Sequence, residues 1–379
     1  MKIIHFSDTH LGFSAYRKIT KDGINQREID IYESFKQVVD YAVEKKPDLI
    51  IHAGDLFDSV RPNNRAINFA LKQIIRLSKK DIPIVIISGN HEHPKLKETG
   101  HIFSIFDHLE NVYPVYKEEY EKIDFKIKKE KICVHAIPQS SLKSKFEEEL
   151  KKIKPSENFD YNILTAHGAV TGIQAFSMNE FNELFIPAET LSKDFDYIAL
   201  GHYHNHTKLS DNAYYSGSTE HLSFTEANSK KGFMLIDLKK QKTNVKFVEI
   251  KTRPMVDAEA IKCTNLRLEQ IMDKIKKTVK EINPKKKTFR IKLEDISPKI
   301  YRNLDFGEIR KISSDAVHYE IKADIKQDEE LKKTDSSKIN KLASEFEQFL
   351  KKQGLEDSNT ILELGISYID KIEAREEGK

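Results

Sequence analysis

Five short segments carry residue types that bind divalent cations, each in a compact pattern. They are Asp8-Thr9-His10, Gly54-Asp55, Gly89-Asn90-His91-Glu92, His167-Gly168 and Gly201-His202-Tyr203-His204. Together they offer two carboxylates, one amide and four imidazoles, from Asp8, Asp55, Asn90, His10, His167, His202 and His204. Hard oxygen with borderline nitrogen and no sulfur suits Mn²⁺, Fe²⁺ or Zn²⁺ and disfavours calcium or a thiolate site. Seven donors are too many for one metal. They fit two if one carboxylate bridges, and Asp55 is the natural bridge. A metal pair lowers the pKa of water and neutralises the charge of in-line attack at phosphorus, so phosphoester hydrolysis is the implied reaction. His91 follows Asn90 but is extra to the seven. A cationic imidazole there could stabilise phosphate oxygens or protonate the leaving alkoxide.

Each segment follows an apolar run short enough for a buried strand: Lys2–Ser7, Asp48–Ala53, Ile82–Ser88, Tyr161–Ala166 and Asp196–Leu200. A further run spans Lys131–Ile137, and closely spaced strands are expected at Ala213–Ser216, Gly232–Leu238 and Asn244–Ile250. Helical patterns lie between, at Ile29–Glu44 and Asn64–Lys79, the latter with Ile67, Leu71, Ile74, Ile75 and Leu77 at near-helical spacing. Open α/β sheets bind ligands at the carboxyl ends of their strands. Five strand ends therefore deliver the donors to one sheet edge. Glycine before Asp55, Asn90 and His202 is expected to let the backbone turn sharply there. His5, His52 and His135 fall inside strand runs and read as core or supporting histidines. His93 and His206 lie near the site but are redundant to it, and Cys133 and Cys263 read as small buried hydrophobes.

Thr252-Arg253-Pro254 looks like a hinge. Beyond it Leu268, Ile271, Met272, Ile275, Val279 and Ile282 mark one amphipathic helix. Phe289, Ile291 and Leu293, then Val317, Tyr319 and Ile321, alternate as strands. That is a small α+β domain. After it, Leu331, Ile339, Leu342, Phe346, Phe349 and Leu350 mark a helix, Gly354 breaks it, and Ile361, Leu362, Leu364, Ile366, Ile369 and Ile372 mark another. Two short helices make a poor core alone and need something to pack on.

The chain of 379 residues has a net charge of +3, which conceals its distribution. Residues 1–250 carry 35 basic and 35 acidic groups, residues 262–292 carry 11 and 3, and residues 293–379 carry 15 and 20. The basic stretch suits contact with phosphates. With 39% hydrophobic and 32% charged residues, the chain is neither disordered nor fibrous. No apolar run approaches the ~18–20 residues of a membrane span, and the first residues lack the features of a secretion signal. Two cysteines exclude a disulfide framework or a cysteine metal cluster. A cytoplasmic, nucleoid-associated protein is expected, without membrane attachment or secretion.

The donor pattern, extended to Gly54-Asp55-x-x-Asp58, resembles the calcineurin-like metallophosphoesterase superfamily. The resemblance implies an α/β fold, a four-layer αββα core of two mixed sheets between helices. His10-Leu11-Gly12-Phe13 with Arg27, Gly54-Asp55-Leu56-Phe57 with Arg61-Pro62, and Tyr215-Ser216-Gly217-Ser218-Thr219-Glu220 resemble the double-strand-break repair nucleases of the Mre-eleven/SbcD family. By motif this covers about residues 1–255. The family layout implies a nuclease domain at 1–254, a DNA-binding capping domain at 255–328, and at 329–379 a helix-loop-helix that docks an SMC-like coiled-coil ATPase of the SbcC type. It implies two Mn²⁺ per chain, with Fe²⁺ or Zn²⁺ as substitutes. Asp8, His10, Asp55 and His204 would hold one, and Asp55, Asn90, His167 and His202 the other, with His91 as the catalytic histidine. It implies 3′→5′ exonuclease and single-strand endonuclease action on DNA ends, and a homodimer. Ile102, Phe103, Ile105, Phe106 and Leu109 could supply the dimer contact or a buried core face. In the capping domain Lys276, Lys277, Lys285, Lys286 and Lys287 are the expected DNA contacts. One position departs from the family: Asp58 stands where several members have histidine, which bears on the balance of exonuclease to endonuclease action. The competing readings are another dimetal phosphoesterase, such as a protein phosphatase or cyclic-nucleotide phosphodiesterase, and a non-catalytic scaffold. The intact donor set with His91 argues against the scaffold.

Overall fold

The computed structural model describes residues 1–140, 142–172, 184–191, 194–240, 243–326, 346, 350 and 361–368. The first sheet is built from β1 (Lys2–Phe6), β2 (Leu49–Ala53), β3 (Ile84–Ile87) and β4 (Val112–Val115), all parallel. The second contains β5 (Glu121–Ile127), β6 (Glu130–Ile137) and β7 (Tyr161–His167). A two-stranded ladder, β8 (Ala169–Val170) and β9 (Phe185–Ile186), follows. The second sheet then resumes with β10 (Tyr197–Gly201), β11 (Thr207–Lys208) and β12 (Ala213–Tyr215). The chain returns to the first sheet with β13 (Gly232–Asp237) and β14 (Asn244–Glu249), giving the order β14-β13-β1-β2-β3-β4, while the second reads β11-β12-β10-β7-β6-β5.

Strand alternation sorts the apolar residues into layers. Ile3, Ile51, Val85 and Ile87 of the first sheet share a buried cluster with Val134, Ala136, Ile163, Tyr197 and Ala199 of the second, so the sheets pack face to face. Their neighbours Ile4, Phe6, Ile50, Ile84 and Ile86 point the other way. They meet Ile31, Phe35 and Val38 of α1 (Gln26–Lys45) and Ala66, Ala70 and Ile74 of α2 (Asn64–Ser78). On the far side Leu164, Ala166, Ile198 and Leu200 meet Phe146 and Leu150 of α3 (Lys143–Lys151). The result is the expected helix, sheet, sheet, helix order. Phe103 and Phe106 are fully buried in the α1/α2 layer, which places that part of the 102–109 cluster in the core.

Strands β4 and β5 and helix α3 were not expected from the sequence. Pro114 argues against a strand, yet β4 is the edge of its sheet, where a missing N–H is tolerated. Charged residues along β5 likewise suit an edge strand facing water. Helix α3 has lysine and glutamate at most of its nine positions, which hides its short apolar face.

Beyond residue 250 come β15 (Met255–Asp257), β16 (Ile261–Lys262), α4 (Leu268–Ile282), β17 (Thr288–Ile296), α5 (Pro298–Arg302), α6 (Phe306–Ile312) and β18 (His318–Ile325). They form a third sheet of order β15-β17-β16 with β18 on β17. Helix α4 buries Ile271, Met272, Ile275, Val279 and Ile282, the face read from its periodicity. Two compact units result. One joins Met1–Ile261 to Glu269–Lys292 and Asp305–Lys322. Inside it Tyr16 stacks on His318 with ring centroids 3.8 Å apart, and the Arg290 guanidinium lies 4.8 Å from the Phe224 ring. The other unit comprises Lys262–Leu268, Leu293–Leu304 and the chain from Ala323. Residues 361–368 are helical; the rest of the expected helix-loop-helix lies outside the described residues, apart from Phe346 and Leu350. No helix among the described residues is long and apolar enough to cross a membrane.

Candidate metal centre

The loops after β1 and β2 extend the parallel pairing of those strands. The amides of Thr9 and His10 donate to the Asp55 carbonyl at 2.9 and 3.0 Å, and Leu11 donates to Leu56 at 2.8 Å. To run this way, Asp8, His10 and Asp55 adopt φ values of 52°, 44° and 56°. Non-glycine residues rarely occupy that region, and such strain concentrates where side chains must be aimed. Gly54, with φ of 96°, permits the turn before Asp55, and a Cβ there would lie 2.2 Å from Nδ1 of His167. Gly89 serves differently from the sharp turn expected of it. Its φ is ordinary, but a Cβ would lie 2.1 Å from Oδ1 of Asp55, so glycine is there for clearance.

Five of the seven expected donors, Asp8, His10, Asp55, His167 and His204, fall into compact groups of possible ligand atoms, and Asn90 and His202 lie against His167. Asp8, His10 and His204 present ligand atoms within 4.8 Å of one another, as do His10, Asp55 and His91, and Asp8, Asp55 and His167. Asp55 Oδ2 lies 3.3 Å from His167 Nε2 and 3.7 Å from His10 Nε2. Its other oxygen accepts from the His91 amide at 3.0 Å. Asn90 Oδ1 lies 2.9 Å from His167 Nε2, and the His202 amide donates to Asp8 Oδ1 at 2.9 Å. The His167 and His202 rings are 5.4 Å apart, and those of His10 and His204 5.1 Å. Asp8, His10, Asp55, His167 and His202 are buried almost completely, whereas the His91 side chain is 29% exposed, open to an incoming substrate.

The electrostatics favour positive charge at this edge. Burial opposes ionisation of Asp55, but His167, His91 and His10 outweigh it and hold the carboxyl well below its usual range. Burial likewise opposes charge on His167, but the Asp55 carboxylate prevails and pushes the imidazole up to about 9. Glu92 is fully buried. Desolvation, reinforced by Asp55, pushes its carboxyl up to about 8, and the Gly89 amide donates to it at 2.8 Å. Among the described residues neither buried ring nitrogen of His10 has a hydrogen-bond partner, which a native interior seldom tolerates in a polar group with no further purpose. Orphaned nitrogens beside two buried carboxylates, an amide oxygen and three more imidazoles fit a pair of divalent cations of the Mn²⁺, Fe²⁺ or Zn²⁺ kind.

The supporting groups were harder to foresee. Glu226 Oε1 lies 3.0 Å from Nδ1 of His204, and its other oxygen accepts from the buried Lys231 at 2.6 Å. Lys231 also donates to the His204 carbonyl and to Ser218, each at 2.8 Å. A lysine 2% exposed would be the structural clue, but no short motif announces it. Arg27 and Glu220, noticed only as motif residues, form a buried ion pair at 3.3 Å. Asp30 joins it through Arg27 at 2.8 Å and through Arg253, whose guanidinium also donates to the Lys286 carbonyl at 2.7 Å.

The other histidines behave as structural groups. His5 spans the two sheets: Nδ1 accepts from the Tyr197 hydroxyl at 2.9 Å and Nε2 donates to the Leu200 carbonyl at 3.2 Å. His52 meets Thr9 at 3.1 Å, His135 meets Asn162 at 2.9 Å, His93 pairs with Glu118 at 2.9 Å, and His206 stacks on Phe247. Cys133 and Cys263 are buried and not joined in a disulfide. Of the expected DNA contacts, Lys276 pairs with Glu308 at 2.8 Å and Lys277 with Glu281 at 3.8 Å. Lys287 donates to the Ile282 carbonyl, and Lys285 is exposed. None of the five is brought among the metal donors by a contact within the described residues.

Comparison with known proteins agrees with this geometry. Residues 1–206 match the family described as calcineurin-like phosphoesterase. A protein of Sulfolobus acidocaldarius, the DNA double-strand break repair protein Mre11, is 31% identical over 378 residues, spanning 95% of this chain and 93% of its own. Proteins of the same name from Methanococcus maripaludis and Saccharolobus solfataricus are 31% and 33% identical, covering 74% and 67% of this chain and 73% and 65% of theirs.

Proposed function

The chain belongs to the calcineurin-like phosphoesterases and, among them, to the Mre11 group of proteins, and from that premise we propose that it is a Mn²⁺-dependent nuclease that processes the ends of broken DNA. The observation that carries this reading is the grouping of Asp8, His10, Asp55, His167 and His204 at strand ends of both sheets, with Asn90 and His202 against His167 and, among the described residues, no hydrogen bond to either ring nitrogen of His10. Asp8, His10, Asp55 and His204 would hold one cation, and Asp55, Asn90, His167 and His202 the other. When bound, the pair supplies a nucleophile from water at neutral pH and neutralises charge on the phosphate.

The protein's own side chains do the rest. Asp55 is fixed by its contacts with the His91 amide, His167 and His10, so it need not reorganise as a cation or substrate arrives. His167 is oriented through Nδ1, 2.8 Å from the Ala53 carbonyl. A carbonyl only accepts, so Nδ1 carries a proton and Nε2 faces Asp55 and Asn90. His91 is held likewise, its Nδ1 3.1 Å from the Asp58 carbonyl, leaving Nε2 to exchange a proton with the leaving oxygen.

In the same reading the chain acts both as a 3′→5′ exonuclease on duplex DNA and as an endonuclease on single strands. Residues 255–328 grip DNA, with Lys276, Lys277, Lys285, Lys286 and Lys287 as contacts, and residues 329–379 dock a coiled-coil ATPase of the SbcC type. Two copies associate, and the protein works in the cytoplasm on the nucleoid. The decisive experiment uses the full chain with a series of metals on labelled duplex, single-stranded and hairpin-ended DNA. A phosphopeptide and a cyclic nucleotide serve as competing substrates. Mn²⁺-dependent shortening of DNA, abolished by chelator, is expected. Turnover of the phosphopeptide or cyclic nucleotide without DNA cleavage would replace this reading with another phosphoesterase activity.

A further inference from the structure

We propose that Asp58 is a positioning residue that sets the affinity of the cation held by His10; this rests on the reading of His10 as a ligand. The side chain is brought there by backbone. Asp58 donates its amide to the Leu11 carbonyl at 3.2 Å, and Leu11 bridges Phe57 in parallel fashion, so the two loops run side by side. His10 then lies between two carboxylates. Its Nε2 is 3.7 Å from Asp55 Oδ2, on the side of the donor cluster, and its Nδ1 is 3.3 Å from Asp58 Oδ1.

The two residues differ in what they need. Asp58 is 31% exposed and can be solvated without His10. The His10 side chain is 1% exposed, and among the described residues neither of its nitrogens has a hydrogen-bond partner. A carboxylate can only accept, so Asp58 favours the neutral tautomer protonated on Nδ1 and leaves the Nε2 lone pair for a cation. Carboxylates behind ligating imidazoles orient the ring and raise its basicity. His204, assigned to the same cation, has Glu226 behind it at 3.0 Å, whereas Nδ1 of His167, assigned to the other, faces the Ala53 carbonyl. Asp58 contacts its second histidine differently: His91 Nδ1 meets the main-chain oxygen at 3.1 Å, and the carboxylate is 3.9 Å away. Replacing the side chain therefore alters His10 and spares the anchor of His91.

Calorimetric titration of the chelator-stripped full chain with Mn²⁺, alongside thermal melting of the stripped protein, tests this. Wild type is expected to bind two ions. Asp58→Asn should weaken one of them by roughly 10–100-fold, leave the other unchanged and melt at the wild-type temperature. Asp58→Glu should recover part of the lost affinity. Two ions bound to Asp58→Asn with wild-type affinity would overturn the proposal. So would loss of both ions with a lowered melting temperature, or an Asp58→Glu protein no better than Asp58→Asn. Wild type binding no Mn²⁺ would instead sink the metal centre itself, and this inference with it.

Discussion

His204 Nδ1 lies 3.0 Å from Oε1 of Glu226, and the remaining oxygen of that carboxylate accepts from the buried Lys231 at 2.6 Å. One carboxylate thus serves two masters, a proposed metal ligand and a cation that could not otherwise remain ionised in the interior. Glu226→Gln should therefore fail in two measurable ways. Metal affinity should fall by roughly 10–100-fold, because the imidazole exchanges an anionic acceptor for a neutral amide oxygen. Stability should fall by about 3–5 kcal/mol, because Lys231 is left without its counter-charge. Adding Lys231→Met should restore most of the stability, read by urea unfolding of stripped protein, but not the affinity, read by calorimetry. Recovery of both together would mean that Glu226 supports only the fold.

His91 sits outside the seven-donor count, half-buried, with its Nδ1 near the Asp58 carbonyl. His91→Ala should lower the turnover number by roughly 10²–10⁴-fold, the usual scale for a positioned acid or base. It should retain two metals by elemental analysis. Loss of a metal in this variant would reassign His91 as a ligand.

Gly89→Ala tests the clearance argument, because the new methyl would lie 2.1 Å from Asp55 Oδ1. Asp55 is the proposed bridge, so displacing it should cost both cations and all cleavage. A variant that folds, binds two metals and cuts normally would show that the Asp55 loop has room to move.

These tests also mark how much was legible from the sequence. The donors could be read because each follows a strand directly, and because Asp-x-His and Gly-His-x-His are compact. Most of the core strands could be read for the same reason, since buried parallel strands are short unbroken apolar runs; their division between two sheets came only from the family resemblance. Glu226 and Lys231 were not legible. They follow the motifs that drew attention to Arg27 and Glu220, and their meaning depends on contacts with His204 across 22 and 27 residues. The edge strands β4 and β5 failed on local grounds, a proline in one and alternating charges in the other. Asp58 was legible only as a departure from a family pattern; its place beside His10 comes from the loop pairing.

The basic segment gives a prediction about salt. Lys276 and Lys277 are already paired with Glu308 and Glu281, while Lys285 is exposed at the turn after α4. Replacing Lys285, Lys286 and Lys287 with Gln should weaken DNA binding. It should also flatten the dependence of log affinity on log salt by roughly 0.9 for each phosphate contact removed. Replacing Lys276 and Lys277 should change the slope less. Hydrolysis of a small phosphodiester should be untouched by either set. An unchanged salt slope in the triple variant would remove this segment from the DNA-contacting surface.

His5 yields a prediction about pH, because it is fully buried where charge on the imidazole is opposed by desolvation. Burial pushes its pKa down from 6.5 to about 3, with the Leu200 carbonyl opposing the shift and His206 adding to it. The unfolded chain therefore binds a proton that the folded chain refuses between about pH 6.5 and 3. In that window the unfolded state is the more protonated, so stability rises with pH. The contribution is fully present above pH 6.5 and falls by about 1.4 kcal/mol per pH unit as acid is added. Urea unfolding of chelator-stripped protein at pH 7, 6 and 5 measures the slope. Histidines elsewhere add to it, so the informative quantity is the difference from His5→Gln. The variant should be less stable at pH 7, where it forfeits part of the bridge to Tyr197 and Leu200. Below pH 6.5 it should lose stability less steeply, by about one proton's worth. Parallel slopes for the two proteins would show that His5 takes up its proton in the folded state and that the bridge between the sheets tolerates the charge.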